Sequence, residues 1–125
     1  MDILTAKLRV WNPAISSQAE EIEVMVDTGA SYGWVLRSRL ERLGVRAVRK
    51  MQSKTIEGHM LERELAPVFV ATDGFTGGDS VVMAEPGDME VMGAHTVESL
   101  GITVDPVAKK LVPAIGMALS APEEI

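Results

Sequence analysis

"EVMVDTGASYG", residues 23–33, is where a plain strand pattern stops and something else begins. From Glu21 to Val26 apolar and acidic residues alternate, with Ile22, Val24 and Val26 on one face and Glu21 and Glu23 on the other. That period of two marks a half-buried strand. The run ends on Asp27 and passes straight into Thr28-Gly29-Ala30-Ser31. A carboxylate at the end of a buried strand is costly to ionise unless something holds it. Gly29 supplies the backbone freedom a sharp turn needs. Asp27 is therefore either turn punctuation or a group placed for chemistry.

The flanking segments set the context. Leu4, Ala6, Leu8 and Val10 alternate with Thr5, Lys7 and Arg9, predicting a first strand, and "NPAISSQ" reads as the loop after it. Downstream, Ser38 is placed to cap a short helix carrying Leu36, Leu40 and Leu43, with Gly44 just past its end. "AVRKMQSKTIEGHMLERELAPVFVA" predicts two strands joined by a turn at Glu57-Gly58. "TDGFTGGDS" reads as a second turn before the strand "VVMAE", and Pro86-Gly87-Asp88 separates that strand from "MEVM". "AHTVESLG" predicts one or two helical turns, and "ITVDPVAKKLVPA" a closing hairpin turning at Asp105-Pro106. The sum is seven or eight short strands and two small helices, which points to a mostly-β, closed, barrel-like domain. Residues 1–115 are expected to form that single domain, and residues 116–125, which show no period, a loose tail.

Composition narrows the function. A chain of 125 residues buries roughly two thirds of its unfolded surface and needs no disulfide or metal to fold. Without cysteine, thiol chemistry and zinc–thiolate sites are excluded. A net charge of −6 argues against nucleic acid as a partner. "MDILTAKLRV" lacks the basic start and apolar core of a signal peptide, and the longest uncharged stretch, "LVPAIGMALSAP", is too short and broken to span a bilayer. The expectation is a soluble cytoplasmic protein with no membrane contact. Seven cations (Arg37, Arg39, Arg42, Arg46, Arg49, Lys50 and Lys54) crowd one segment, a solvated helix face and strand or else a surface for an acidic partner. His59 and His95 stand alone at no ligand spacing, so they read as solvated or helix-surface histidines and no metal is expected. "GFTGGDS" lacks the Gly-Lys-Ser/Thr of a phosphate loop, and the eight methionines read as core filler or as lining for an adaptable cleft.

A bare Asp-Thr-Gly arises by chance in about 2% of chains this long, so its setting matters: it follows a β-patterned segment and precedes a helix. Hydrolysis of a peptide without metal or covalent intermediate needs one group to activate water and another to protonate the leaving amine. Two carboxylates about 3 Å apart cannot both ionise, so they share one proton and fill both roles.

"VDTGAS" resembles the active-site loop of the retroviral-type, retropepsin-like aspartic proteases. "EVMGAHTVESLGITVDPVAKKLVPA" resembles the C-terminal half of the same family, and its ending is especially like the small stand-alone members of bacteria and archaea. The likeness spans roughly residues 3 to 114. It implies that Asp27 is catalytic, with Thr28, Gly29 and Ala30 supporting its loop. It further implies that Val91, Met92 and Gly93 run beside the loop, and that Ile56, Glu57, Gly58 and His59 form a substrate-covering flap. No cofactor is implied. The flap lacks the glycine-rich tip of the viral enzymes, and Tyr32-Gly33-Trp34 carries no role in the resemblance. Only one Asp-Thr-Gly is present; Asp2, Asp73, Asp79, Asp88 and Asp105 sit in terminal or turn contexts. A second carboxylate must then come from a second copy, making a twofold homodimer that hydrolyses extended peptides. The alternatives are a non-catalytic dimeric module that binds peptide in the same cleft, and an adaptor using the basic segment.

Overall fold

A computed structural model describes residues 3–115, and the tail expected at residues 116–125 lies outside the described residues. The described chain runs β1 (Thr5–Asn12), β2 (Ile15–Val26), β3 (Gly33–Leu36), α1 (Arg37–Arg42), β4 (Arg49–Lys54), β5 (Met60–Thr72), β6 (Phe75–Ala84), β7 (Val91–Met92), α2 (Ala94–Ser99), β8 (Ile102–Asp105) and β9 (Lys110–Pro113). Seven strands form one sheet in the order β1-β2-β7-β3-β6-β5-β4, and β1 pairs with β5 as well. That extra pairing closes six strands on themselves, as the mostly-β, barrel-like expectation requires. β8 and β9 make the separate closing hairpin.

The alternating residues of β1 and β2 point into the closure. Leu8, Val10, Ile22 and Val24 are buried there against Val68, Val70, Val81 and Met83. β5 is long enough to do two jobs. From Glu64 to Thr72 it pairs with β6, whereas Met60 to Arg63 pair only with β4. β4 and the start of β5 therefore extend beyond the ring as an overhanging hairpin.

Four local expectations are corrected. "NPAISSQ" is not a long loop: β2 begins at Ile15, and Asn12 holds the tight turn by accepting the Ala14 N–H at 2.8 Å. The outer half of β2 is largely solvent-exposed on both faces, which erases its alternation. Ser38 does not cap α1. Leu36 holds the N-cap position without a side-chain cap, and its N–H goes to Glu90 Oε2 at 2.9 Å. "FTGGDS" is the first half of β6 and not part of a turn; the turn is confined to Asp73-Gly74, both with positive φ. Of "MEVM" only Val91 and Met92 are strand. Gly44, with φ +74°, ends α1 as its sequence position suggested.

Four of the seven cations of the basic segment pair with carboxylates of the same chain. Arg37 pairs with Glu64 and Glu85, Arg39 with Glu20 and Glu90, Arg42 with Glu20, and Lys50 with Glu62. The Glu20 carboxyl is held below its ordinary range, chiefly by the Arg42 hydrogen bond.

Candidate active site

Asp27 leaves β2 where that strand meets β7. The two run parallel with Met25 opposite Val91 and Val26 opposite Met92, and the Asp27 N–H continues the ladder to Met92 O at 2.9 Å. The chain then turns, with Ala30 N–H reaching Asp27 O at 3.1 Å. Gly29 N–H donates to Asp27 Oδ1 at 2.9 Å. A Cβ at position 29 would stand 3.1 Å from that same oxygen, so glycine keeps the approach open. The half-buried carboxylate is thus aimed by its own loop, while the exposed Thr28 has no hydrogen-bond partner among the described residues.

The floor beneath this loop is built by residues 91–95. α2 has no side-chain cap because the loop itself serves: Ala94 N–H donates to Ala30 O and His95 N–H to Ser31 O, each at 2.8 Å. Two of the helix's first N–H groups, which no helical carbonyl can reach, are satisfied this way. Gly93 makes the approach possible, since a Cβ there would lie 2.3 Å from Tyr32 O and 2.8 Å from Ala30 O. Val91, Met92 and Gly93 accordingly run beside the Asp27 loop.

The overhanging hairpin turns as expected at Gly58, with φ +91°. Thr55 organises the turn: its carbonyl accepts the Gly58 N–H at 2.9 Å, its N–H reaches His59 O at 2.8 Å, and its hydroxyl accepts the His59 N–H at 3.0 Å. Ile56 at the tip is fully exposed. A cleft of about 530 Å³ lies between the loop side, from Gly29 to Trp34, and the β4 side, from Met51 to Thr55. A second hollow of about 300 Å³ holds Asp27 itself with Met25, Leu61, Asp88, Met89 and Val91. Ala30, Trp34 and Leu61 line both. Ile56, Glu57, Gly58 and His59 line neither, so one chain does not bring its own hairpin tip onto Asp27.

Asp88 faces the second hollow through a firm mount. Arg63 grips it with two bonds of 2.8 and 3.0 Å, and it accepts the Glu85 N–H at 2.8 Å. The Arg63 hydrogen bond, with help from that backbone bond, holds the Asp88 carboxyl below its ordinary range.

Sequence reasoning missed several residues of this site. Tyr32 and Trp34 line the main cleft two positions apart, a strand spacing visible only once β3 is recognised. Asp79 is not in a turn but in β6 with a fully buried side chain, and His95 is not a free surface histidine: its Nδ1 lies 2.6 Å from Asp79 Oδ1. Nothing local in the sequence joins residues 79 and 95. Of the methionines, Met83 and Met92 are core, whereas Met25, Met51 and Met89 line the hollows. Among the described residues no group of three or more His, Asp or Glu side chains could hold a metal, and no helix is long and apolar enough to cross a membrane.

No protein-family model and no curated protein matches the sequence. Solved structures do resemble it. The solution structure of the simian foamy virus (mac) protease superposes with a TM-score of 0.53 at 18% identity, covering 75% of this chain and 91% of that one. The fold of this chain is retropepsin-like.

Proposed function

We propose that this chain is an aspartic endopeptidase of the small stand-alone type, active as a twofold-symmetric homodimer. The observation that carries the reading is the mounting of Asp27. Its carboxylate is aimed by the Gly29 N–H, backed by Met92 O through the backbone, and opens on a hollow under an overhanging hairpin. Nothing in folding alone requires a carboxylate there.

One chain supplies one such carboxylate, and the second comes from the partner across the twofold axis. The exposed, unpaired Thr28 beside it is suited to interlock with its counterpart. Water lies between the two Asp27 carboxyl groups, one ionised and one protonated. The ionised group takes a proton from the water as its oxygen attacks the scissile carbonyl. The protonated group stabilises the tetrahedral oxygen and then gives its proton to the leaving nitrogen as the C–N bond breaks. The substrate binds extended, adding a strand between the floor and the hairpin tips.

The test is cleavage of a diverse unstructured peptide pool from pH 4 to 7 by wild type and by Asp27→Asn, with the dimer established by sedimentation. Cleavage by wild type alone, with a bell-shaped pH profile, is the expected result. Equal cleavage by both removes Asp27 from the mechanism, and a strictly monomeric active protein removes the dimer. No cleavage by a dimer of native fold assigns the cleft to peptide binding without hydrolysis.

A further inference from the structure

The Asp79 side chain is fully buried, yet Asp79 Oδ2 has no hydrogen-bond partner among the described residues. Such a carboxylate is costly to keep in a strand interior. All its bonds converge on Oδ1: the Ser80 N–H at 2.9 Å, the Ser99 hydroxyl at 3.4 Å and His95 Nδ1 at 2.6 Å. The Nδ1–Oδ1 contact is a short hydrogen bond whichever of the two groups carries the shared proton. The bond fixes the His95 ring, which projects from the first turn of α2.

From there the contacts lead into the cleft. The His95 ring packs on Tyr32, with centroids 5.2 Å apart and planes at 36°. The His95 N–H holds Ser31 O at the same time. Tyr32 and Ser31 line the cleft, and the Tyr32 hydroxyl accepts a 3.3 Å bond from Arg49 Nη2 on β4. A buried carboxyl group in β6 is therefore linked through one imidazole and one phenol ring to the strand that carries the overhanging hairpin. Asp27 is mounted separately, by Gly29 and Met92.

We infer that the Asp79–His95 pair is a positioning device for the cleft wall: it sets the Tyr32 ring, and through Arg49 the root of the flap, and so governs how a long extended peptide is gripped without touching the chemistry at Asp27. The inference rests on reading this cleft as the peptide site. Asp79 and His95 are positioning residues, and Tyr32 is the side chain that meets substrate.

The experiment uses the full chain as wild type, His95→Ala, Tyr32→Ala and the double variant. Each is assayed on a peptide of about eight residues, spanning ~27 Å when extended, and on one of about four centred on the same bond. Amide hydrogen exchange is followed in parallel. For His95→Ala the expected result on the long peptide is a KM raised about fivefold with kcat within about twofold, and the short peptide unaffected. The double variant should be no worse than Tyr32→Ala. Exchange in His95→Ala should quicken over residues 31–34 and 94–95 while Gly29 keeps its wild-type rate and the β1, β2 and β5 core stays protected. An unchanged KM with unchanged exchange overturns the inference, as does an equal loss on both peptides with exchange raised throughout, the mark of a purely structural pair. If wild type cleaves neither peptide, the endopeptidase reading falls, and local quickening in residues 31–34 still decides whether the pair positions the wall.

Discussion

The loop at Asp27 and the turn at Gly58 that ends the overhanging hairpin are held by opposite means. The loop is held from a distance: residues 91–95 bind its backbone at Asp27, Ala30 and Ser31. Among the described residues the tip is held only by itself, through Thr55, with Ile56 wholly in solvent. Each region depends on a glycine, for unrelated reasons. Gly93 has an ordinary backbone, φ −92° and ψ −177°, and is needed for the space its missing Cβ leaves. A Cβ at Gly58 would meet nothing within 4 Å, and glycine is needed there for its φ of +91°. On the proposed reading, a floor fixed by long-range contacts and a tip left free to move are what an extended-peptide site needs.

The largest expected effect is at the floor. Gly93→Ala forces a methyl group against Tyr32 O and Ala30 O, both backbone atoms that cannot swing aside. A loss of about 3 kcal/mol or more is expected in urea unfolding, with the α2–loop bonds broken. A loss below about 1 kcal/mol would show that the loop and residues 91–95 are not in close contact.

Next comes the mount of the second hollow. Asp88→Asn discards the charge in the two-bond grip by Arg63, in a pair whose side chains are 17% and 16% exposed. About 2 kcal/mol of stability should be lost at pH 7. The Asp88 carboxyl is lowered from 3.8 by Arg63 and by the Glu85 N–H, so its contribution is complete above 3.8 and disappears as pH falls through the folded value. Unfolding titrations of wild type and Asp88→Asn should therefore converge on acidification below that range. Curves that stay parallel down to about pH 2 would contradict the assignment.

What could be read from the sequence follows the same division between local and distant causes. β2 running into Asp27, the Gly58 turn, α2 and the β8–β9 hairpin all announce themselves within a dozen residues, through alternation or a turn residue. β3 does not, because four residues paired in parallel with β6, Gly33 opposite Val81, have no local signature. Gly77 and Gly78 looked like turn residues, yet a Cβ at Gly77 would lie 2.6 Å from Ser99 O and one at Gly78 3.3 Å from the Phe69 ring. They are glycines because α2 and Phe69 press on β6. The N-terminal end of α1 is served by Glu90, 54 residues away, and so carries no capping signal. Asp27, Thr28, Gly29 and Gly93 could be named from motif and resemblance. Tyr32, Trp34 and the Asp79–His95 pair could not, because only the folded sheet brings their partners together.

At the tip the expected effects are small. Gly58→Ala places a Cβ at a positive φ in open space, so only backbone strain of about 1 kcal/mol should appear, against the larger clash at Gly93. Equal losses at the two glycines would dissolve the distinction between them.

Ile56→Ser gives the smallest effect on folding and the most informative one on function. The side chain is 100% exposed, so unfolding free energy should stay within about 0.5 kcal/mol of wild type. On the proposed function, an isoleucine wholly exposed at the hairpin tip has apolar surface left to bury when peptide binds. If the tip closes on substrate, burying it stabilises the complex, and Ile56→Ser should raise KM for a long peptide about tenfold. Stability and binding would then separate cleanly at one residue. A stability loss above about 1 kcal/mol would mean the tip already packs against the protein, and an unchanged KM would mean it never closes on peptide.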